Sequence, residues 1–268
     1  MKILLFSGNH SRHVFVHKAF CEKFEIAGIV SMKRESVLPT VPNNISNHDK
    51  KLFEKHFNKR YEVEKSVYGE LSNKIYKEVA PTLYINPDEL NTYEVAHFVK
   101  EVNADACFIF GVDLILDPVI SVLPKWKINF HLGLSPWYRG SATLFWPFYF
   151  LQPQFAGATI HQIVPEADAG NIIHQVIPDL NYGDGIHDVG AKVVTKALKE
   201  TILLFRELEL KGFLKTHKQK NSGKLFLTRD FHPSHLRLIY DLFDDKIVDL
   251  YLNGVFGKRK PKIIKSTY

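Results

Sequence analysis

The chain has 268 residues, of which 45% are hydrophobic and 24% are charged. These proportions are typical of globular proteins and exclude wholesale disorder, and the length allows one large domain plus a smaller appendage. The net charge of +6 is compatible with anionic small molecules as partners, although ordinary surface lysines would explain it equally well. No dense basic run with interleaved aromatic residues precedes the C-terminal tail, so we expect no nucleic-acid partner.

The N-terminal residues predict a strand rather than a targeting segment. The apolar run at 3–6 is too short for a signal peptide, and no apolar run approaches the roughly 18 residues of a membrane span. The two cysteines, Cys21 and Cys107, lie in apolar contexts and cannot by themselves provide a disulfide framework or a closed zinc site. We therefore expect a cytoplasmic protein with no membrane partner and no metal.

The first strand opens a β-loop-α-β arrangement. A polar loop at 7–13 follows it, then a helical pattern, and residues 25–31 predict a second strand, an order that indicates a Rossmann-like sheet. The loop has a single glycine, so the fingerprint G-x-G-x-x-G is absent and we do not expect NAD or FAD. Two interpretations of the loop stay open: a plain polar turn, or an anion-binding loop in which His10 and Arg12 contact the ligand.

The next stretch, residues 33–65, is charged and rich in asparagine. This composition predicts a mobile surface loop with a helical piece near 50–58. Beyond it, the pattern predicts a helix at 66–79, a short strand at 82–85 and a helix at 91–102.

A buried strand at 104–110 ends in an unusually apolar loop. The strand end and the loop contain Phe110, Gly111, Val112, Asp113, Leu114 and Leu116. Apolar residues at the carboxyl edge of a sheet are explained by core packing, or by a slot in which a flat heteroaromatic ring is held mostly by backbone groups.

The remaining elements follow in a regular order. The sequence predicts strands at 126–130, 156–164 and 171–177, helices at 141–150 (with Ser141 as N-cap) and 186–211, a hairpin at 217–229 turning at Asn221-Ser222-Gly223, one or two amphipathic helices at 231–253, and a basic tail at 257–265. We thus expect an α/β fold with a mostly parallel sheet and a small C-terminal hairpin and helix region.

Three polar side chains stand at the ends of two predicted strands. Asn129 and His131 are two residues apart on a strand and should point to the same side, and Asp168 follows the strand at 156–164. An amide, an imidazole and a carboxylate that converge form a plausible acid–base site. Taken singly, each residue has a plain structural explanation as a turn former, a buried histidine or a cap.

The order of these residues resembles that of the folate-dependent formyltransferases. The chain reads N-F-H-L-G-L-S-P-W-Y-R-G from Asn129, then T-I-H from Thr159, then D-A-G-N-I-I from Asp168. The resemblance covers roughly residues 1–210. It implies a Rossmann-like formyltransferase core and 10-formyltetrahydrofolate as the formyl donor. It also implies catalysis by Asn129, His131 and Asp168, with oxyanion stabilisation and proton transfer as their tasks.

The resemblance also implies binding residues. Those expected to hold the folate are Phe110, Gly111, Val112, Asp113, Leu114, Leu116 and Gly170, and those expected to hold the acceptor are His10, Arg12, Arg139 and Gly140.

The C-terminal region bears on the choice of acceptor. Residues 213–268 follow a catalytic domain at 1–212 and are too few for the β-barrel domain of methionyl-tRNA formyltransferases, while glycinamide ribonucleotide formyltransferases need no such tail. The layout is similar to that of the sugar N-formyltransferases, whose C-terminal piece supports dimerisation. We therefore expect a homodimer that formylates a nucleotide-linked amino sugar, such as dTDP-4-amino-4,6-dideoxyglucose or its 3-amino isomer, for surface polysaccharide synthesis. The other two acceptors, and a non-catalytic folate- or nucleotide-binding protein, stay open as alternatives.

Overall fold

One seven-stranded sheet organises the molecule. The computed structural model describes residues 1–219, 223–257 and 259–266. The strands are β1 (Lys2–Gly8), β2 (Glu25–Met32), β3 (Thr82–Ile85), β4 (Ala106–Phe110), β5 (Trp126–His131), β6 (Tyr138–Gly140), β7 (Ala158–Gln162), β8 (Ile172–Val176) and β9 (Lys224–Phe226). The large sheet has the order β3-β2-β1-β4-β5-β7-β8, and β6 pairs with β9 in a separate ribbon.

The sheet is mixed but mostly parallel. Strands β1 to β5 run parallel to one another, whereas β7 pairs antiparallel with β5 and with β8. The predicted α/β class with a mostly parallel sheet is therefore confirmed. The carboxyl ends of the parallel strands meet at one edge, which is where ligands bind in open α/β sheets.

Helices cover both faces of the sheet. They are α1 (Ser11–Cys21), α2 (Asn47–Tyr68), α3 (Tyr93–Val102), α4 (Trp146–Tyr149), α5 (Ile186–Lys211) and α6 (Ile247–Leu252). On β1, Ile3 and Leu5 belong to the apolar core that includes α1, α2 and α5, while Leu4 and Phe6 belong to a second core under α3. Burial on both faces explains the uninterrupted apolar run of this strand. Within the described ranges, every helix is too short or too polar to cross a lipid bilayer.

Helix α2 corrects the prediction for residues 33–79. A mobile loop with a helical piece at 50–58 was expected, but the helix has 22 residues and begins after Ser46, whose side chain accepts a hydrogen bond from the backbone of Asp49. Its inner face buries Leu52, Phe53 and His56. The other faces are charged, so the overall composition of residues 33–65 is polar even though α2 has a narrow apolar stripe. Of the helix expected at 66–79, residues 66–68 form the end of α2 and Asn73–Glu78 form a short 3-10 turn.

The segment 132–150 also departs from the prediction. Instead of a helix at 141–150 capped by Ser141, the chain forms β6 and then a four-residue helix, α4. The backbone N–H of Ser141 donates to the carbonyl oxygen of Phe226 at 2.8 Å. A partner distant in sequence therefore takes the place of the local cap.

The C-terminal region packs onto the core instead of forming a local hairpin. Two residues of the predicted turn, Asn221 and Ser222, lie outside the described residues. Strand β9 pairs in parallel with β6, and His217 forms an antiparallel bridge with Ile172. The amphipathic helices expected at 231–253 are short turns and α6. At the free edge of β8, the backbone N–H of Gln175 donates to the carbonyl oxygen of Ile264 at 2.7 Å.

Candidate active site

Asn129 and His131 lie at the carboxyl end of β5, on the same side of the strand. In the antiparallel register with β7, Asn129 faces His161 and His131 faces Thr159. Alternation along a strand places residues two positions apart on one face, so the predicted pair is brought together as the sequence indicated.

Asp168 reaches this pair from the loop between β7 and β8. One carboxylate oxygen, Oδ2, lies 3.3 Å from His131 Nδ1 and accepts a hydrogen bond from the backbone N–H of Gly140 at 2.9 Å. The other oxygen, Oδ1, lies 3.4 Å from Asn129 Nδ2. The structure therefore joins the three residues that the sequence singled out.

Two glycines make this approach possible. Gly140 has a φ of +87°, and a Cβ there would stand 2.2 Å from the carbonyl oxygen of Phe226. At Gly170, a Cβ would stand 1.7 Å from the carbonyl oxygen of Gln162, so that only glycine allows the Asp168 loop to fold against β7. Asp168 itself has a φ of +49°, in the left-handed region that aspartate tolerates better than most residues.

Gln219 fastens the same loop from the C-terminal region. Its side-chain nitrogen donates to the carbonyl oxygens of Asp168 and Gly170, at 2.7 Å each, and the residue is buried. The backbone that carries the carboxylate is therefore held by a residue about 50 positions further along the chain.

Each of the two ring nitrogens of His131 faces an oxygen atom. Its Nε2 lies 3.0 Å from the carbonyl oxygen of Tyr138, to which only a protonated nitrogen can donate. In the neutral ring, that tautomer leaves the Nδ1 lone pair facing Asp168. When Nδ1 takes up a proton, the new N–H donates a hydrogen bond to the Asp168 carboxylate. His131 and Asp168 are therefore arranged to accept a proton together.

For both His131 and Asp168, burial and neighbouring polar groups shift the pKa in opposite directions. Burial lowers the pKa of His131, and the Asp168 carboxylate partly offsets that shift. Burial raises the pKa of Asp168, but the proximity of His131 and His161 and the backbone N–H of Gly140 outweigh it and hold the pKa well below its ordinary value. At neutral pH the carboxylate is therefore ionised and the imidazole is neutral.

Asn129 is oriented by His161. The Nδ1 of His161 lies 2.8 Å from the carbonyl oxygen of Gln162, so this nitrogen carries the proton and Nε2 accepts from Asn129 Nδ2 at 3.2 Å. The second amide hydrogen of Asn129 faces Asp168 across the longer 3.4 Å contact. A ligand oxygen can replace that weaker contact.

The three residues line a first cavity of about 470 Å³ at the sheet edge. Of the residues expected to hold a flat ring, its walls include Phe110, Gly111, Val112, Asp113 and Leu114. The C-terminal region contributes the wall formed by residues 225–228. One cavity therefore contains both a slot that suits a planar ligand and the three candidate catalytic residues.

Four of the predicted binding residues lie outside the walls of this cavity. Leu116 is tied by its backbone N–H to Asn91 Oδ1 at 2.7 Å, and Gly170 lies behind the Asp168 loop. His10 is buried, with Nε2 2.6 Å from the carbonyl oxygen of Glu35. Arg139 has a buried Nε without a partner among the described residues.

A second cavity of about 710 Å³ adjoins the first. The two share Arg12, Arg34 and Gly140, among other walls, and the second extends between α2 and α5. Arg12 is paired with Glu64 at 2.7 Å. The side-chain Nη2 of Arg60 donates to the carbonyl oxygen of Val37 at 2.7 Å. Arginine guanidinium groups of this kind bind phosphates in a bidentate manner.

Part of the lining of the second cavity is aromatic and neutral. Its lining includes Phe53, Phe57, Phe231, His56 and His187. Burial lowers the pKa of His56 well below its ordinary value and that of His187 to about 3, so both rings are neutral near pH 7. The Nε2 of His187 is buried without a partner among the described residues. Burial also lowers the pKa of Arg60, to about 10, which leaves this side chain charged.

Sequence reasoning missed several of these residues. His161 stands within the quoted motif, and the alternation of the strand at 156–164 could have placed it beside Asn129. Asn91, which holds the apolar loop through Leu114 and Leu116, gave no signal because its partners are more than 20 residues away. The walls contributed by α2 were missed because that segment was expected to be a loop.

Comparisons with known proteins are consistent with this geometry. A family model described as formyl transferase matches residues 42–204. Among solved structures, glycinamide ribonucleotide transformylase 1 from Symbiobacterium toebii matches at 14% identity and a TM-score of 0.55, over 82% of this chain and 94% of that one. A 4-N formyltransferase from Francisella tularensis matches at 19% and 0.54, over 86% and 77%.

A third solved structure matches to a similar degree. An N-formyltransferase from Helicobacter canadensis, in complex with folinic acid and dTDP-3-aminofucose, matches at 16% identity and a TM-score of 0.54, over 87% of this chain and 73% of that one. At such identities these likenesses concern the fold. Enzymes that act on different acceptors match about equally well.

Proposed function

The chain belongs to the formyl transferase family, whose formyl donor is 10-formyltetrahydrofolate, and from this premise we propose that it formylates the amine of a nucleotide-linked amino sugar. The observation that carries the choice of acceptor is the second cavity. It is larger than the first, adjoins the cavity that Asn129, His131 and Asp168 line, and combines arginines with aromatic and neutral side chains.

The first cavity suits the folate. A pterin is flat and heteroaromatic, and the walls at 110–114 offer apolar side chains and exposed backbone beside Asn129 and His131. In this arrangement the N10 formyl group would lie between the folate slot and the second cavity. The side chain of Asn91 holds the backbones of both Leu114 and Leu116, which fixes the shape of the slot.

The reaction is a transfer between two nitrogens. The uncharged acceptor amine attacks the formyl carbon, and the new C–N bond leaves the negative charge on the former formyl oxygen. Asn129 donates an amide hydrogen to that oxygen in place of its long contact to Asp168. The bond from carbon to N10 then breaks, its electron pair leaves with tetrahydrofolate, and the proton of the amine ends on N10.

His131 and Asp168 move that proton. Neutral His131 accepts it at Nδ1, where the ionised Asp168 carboxylate receives the new N–H as a hydrogen-bond donor. The fixed hydrogen bond from Nε2 to the carbonyl oxygen of Tyr138 keeps the ring in the required tautomer. The ring then returns the proton to the leaving nitrogen. His161 stays outside the proton path and orients Asn129.

The second cavity matches the parts of a nucleotide-linked sugar. Arg12, Arg34 and Arg60 stand where a diphosphate could be bound, and the neutral His56 and His187 can exchange hydrogen bonds with sugar hydroxyls. Aromatic walls suit the apolar face of a deoxysugar or a nucleobase. Glycinamide ribonucleotide is the second candidate, because its single phosphate would also meet the arginines and a transformylase of that substrate matches the fold equally well.

An acceptor panel tests the proposal. Purified protein with 10-formyltetrahydrofolate is offered dTDP-4-amino-4,6-dideoxyglucose, its 3-amino isomer, a UDP-linked amino sugar and glycinamide ribonucleotide, and products are read by the mass gain of one CO unit. We expect transfer to at least one nucleotide sugar and none to the ribonucleotide. Transfer to glycinamide ribonucleotide alone would overturn the sugar assignment, and no transfer to any acceptor would overturn both.

Two further expectations belong to this proposal. The first is a division into a catalytic domain at 1–212 and a C-terminal domain at 213–268 that pairs two subunits. The resulting homodimer would be measured by light scattering after gel filtration. A role in surface polysaccharide synthesis follows from the class of acceptor. The homodimer is tested by light scattering alone, whereas the role in polysaccharide synthesis depends on the acceptor assignment.

A further inference from the structure

A row of three residues crosses the sheet from the candidate active site to the β8 edge. His131 on β5 faces Thr159 on β7, and Thr159 in turn faces Gln175 on β8. Thr159 is fully buried and Gln175 is 1% exposed. Buried hydroxyl and amide groups require hydrogen-bond partners, so the contacts of these two side chains show what they hold in place.

The two polar side chains hold the loop that follows β5. Thr159 Oγ1 donates to the carbonyl oxygen of Gly133 at 2.7 Å and accepts from the backbone N–H of Ser135 at 2.9 Å. The side-chain nitrogen of Gln175 donates to the carbonyl oxygen of Ser135 at 2.6 Å. Hydrogen bonds from β7 and β8 therefore fix the backbone of this loop at two residues.

The loop at 133–137 leads to the atom that sets the tautomer of His131. The backbone N–H of Tyr138 donates to the carbonyl oxygen of Leu134 at 2.9 Å, and the carbonyl oxygen of Tyr138 lies 3.0 Å from His131 Nε2. A Cβ at Gly133 would stand 2.5 Å from His131 Nε2 and 2.6 Å from that carbonyl oxygen, so the loop packs against both. A shift of the loop would therefore disturb the hydrogen bond at Nε2.

The C-terminal segment supplies the remaining partner of Gln175. The amide oxygen, Oε1, accepts from the backbone N–H of Ile264 at 3.1 Å, and the backbone N–H of Gln175 donates to the carbonyl oxygen of Ile264 at 2.7 Å. One residue earlier on β8, His174 Nδ1 accepts from the backbone N–H of Ser266 at 2.9 Å. The amide of Gln175 is thus oriented with its oxygen toward the C-terminal segment and its nitrogen toward the loop.

We propose that Gln175 is a positioning residue, through which residues 264–266 hold His131 in the tautomer that accepts the proton. The C-terminal segment orients the amide, the amide holds the loop at Ser135, and the loop keeps the carbonyl oxygen of Tyr138 against Nε2. Gln175 lines neither the first nor the second cavity, so it acts on the chemical step and not on binding. The inference rests on the proposed role of His131 and deepens it.

Gln175→Met removes the amide and keeps a side chain of similar length. The carbonyl oxygen of Ser135 then loses its donor, and the loop can shift. We expect kcat, measured with 10-formyltetrahydrofolate and the acceptor that the panel identifies, to fall about tenfold, because small displacements at a reacting group are costly. The KM of each substrate should stay within about twofold of the wild type. An unchanged kcat in the folded variant would overturn the proposal.

The tautomer of His131 provides a readout that a general loss of packing would not move. In protein with nitrogen-15 in its histidine rings, the two resonances of His131 are identified by comparison with His131→Asn. At a pH where the ring is neutral, the wild type should show a protonated Nε2 and an unprotonated Nδ1, whereas Gln175→Met should populate both tautomers. Wild-type resonances in the variant would overturn the proposal. The measurement needs no acceptor, so it decides this inference even if the proposed function fails.

Ile264→Pro tests the C-terminal segment without changing Gln175 itself. Proline has no N–H to donate to Gln175 Oε1, while the carbonyl oxygen at position 264 can still accept from β8. We expect the same mixture of tautomers and a fall in kcat of about threefold to tenfold, the usual contribution of one neutral hydrogen bond. Lys262→Pro is the matched control, because Lys262 is exposed and its N–H forms no backbone hydrogen bond among the described residues. Equal losses in the two variants would contradict the proposed path.

A second buried glutamine controls for Gln175→Met. Gln154 is buried and its side-chain nitrogen donates to the carbonyl oxygen of Arg259 at 2.9 Å, so it contacts the C-terminal region but not the loop at 133–137. Gln154→Met should keep the wild-type kcat and tautomer. If it lost as much as Gln175→Met, loosening of the C-terminal region would explain both variants and the proposal would fail. If Gln175→Met does not fold, the comparison of Ile264→Pro with Lys262→Pro decides.

Discussion

The first and second cavities share walls but are built in different ways. The first takes its catalytic side chains from the ends of β5 and from one loop fixed by glycines, so its geometry is set by the sheet. The second takes its walls from α2 and α5, two helices whose side chains meet only because both pack on the same core. Under the proposed function, the end of the sheet carries the groups for the reaction, and the helices that cover the sheet carry the groups that select the acceptor.

This difference predicts two kinds of variant. Changes in the first cavity should affect the rate of the chemical step, because its groups are proposed to act on the transition state. Changes in the second cavity should affect the binding of the acceptor, because its arginines are proposed to contact phosphate groups that do not react. A variant that crosses these categories would break the distinction.

Replacing His131 has the largest expected effect. His131→Asn removes the proton acceptor but keeps a polar side chain, and we expect kcat to fall about a hundredfold to ten-thousandfold. Binding of tetrahydrofolate, measured by calorimetry, should be unchanged. A parallel variant, Asp168→Asn, should lose a similar factor. If either variant retained a rate near that of the wild type, proton transfer through the pair would be ruled out.

The same contrast explains what could be predicted from the sequence. Asn129 and His131 lie two residues apart on one strand, so the alternation of that strand predicts that they point to the same side. Asp168 belongs to a short motif that follows in the same order as in the formyltransferases. The strands of the sheet were predictable for the same reason, since their apolar runs are local. Helix α2 has a narrow apolar stripe on a charged helix, and a composition of that kind does not distinguish a helix that packs from a surface loop.

Other features depend on partners far away in the chain. Gln219 contacts Asp168 across 51 residues, and β9 pairs with a strand, β6, that no local pattern indicated. The hairpin predicted at 217–229 relied on local turn chemistry, whereas the pairing observed is with the core. His10 was expected to contact the ligand, but a backbone oxygen in the segment after β2 holds its ring. Short motifs therefore indicated the three residues that the structure brings together, and tertiary packing decided the remaining walls of the cavities.

In the second cavity, Arg60 is the sharpest test of acceptor binding. Its guanidinium packs over the ring of Phe57 and forms no ion pair within the described residues, so its charge is available to a phosphate. A charge-assisted hydrogen bond contributes about 1.5–3 kcal/mol, and about 1.4 kcal/mol corresponds to a factor of ten. We therefore expect Arg60→Met to raise the KM of the acceptor about tenfold to hundredfold with little change in kcat.

An exposed arginine serves as the control for Arg60. Arg206 lies on α5 with its side chain in solvent, and Arg206→Met should leave both constants unchanged. If Arg60→Met lowered kcat and left the KM of the acceptor unaltered, the phosphates would have to bind elsewhere, and the contrast between the two cavities would fail at this residue.

Gln219 links the C-terminal region to the first cavity. Gln219→Glu keeps the shape of the side chain but removes both donors to the carbonyl oxygens of Asp168 and Gly170. Small displacements of a catalytic group are costly, and we expect kcat with the monoglutamyl donor to fall about tenfold while the KM of the acceptor is kept. Lys218→Gln, one residue away and exposed, is the matched control. A change in KM alone would mean that Gln219 does not position the carboxylate.

The smallest expected effect is a pH dependence, and it tests the electrostatics of the pair directly. Burial lowers the pKa of His131 from its ordinary value of 6.5, and the Asp168 carboxylate partly offsets this shift. The neutral ring is the active form, so wild-type kcat should fall as the pH drops through a pKa below 6.5. In Asp168→Asn the offset is absent, so the pKa of His131 lies lower still and the fall occurs at a lower pH.

The ratio of the two rates isolates this effect. Ionisation of the acceptor amine acts equally on both enzymes and cancels when wild-type kcat is divided by that of Asp168→Asn at each pH. The ratio should be constant near neutrality and decline on the acidic side, because the wild type is protonated first. A ratio that rises as the pH falls would require His131 to act in its charged form. The first cavity would then supply a proton donor where its geometry, with Nδ1 facing an ionised carboxylate, provides an acceptor.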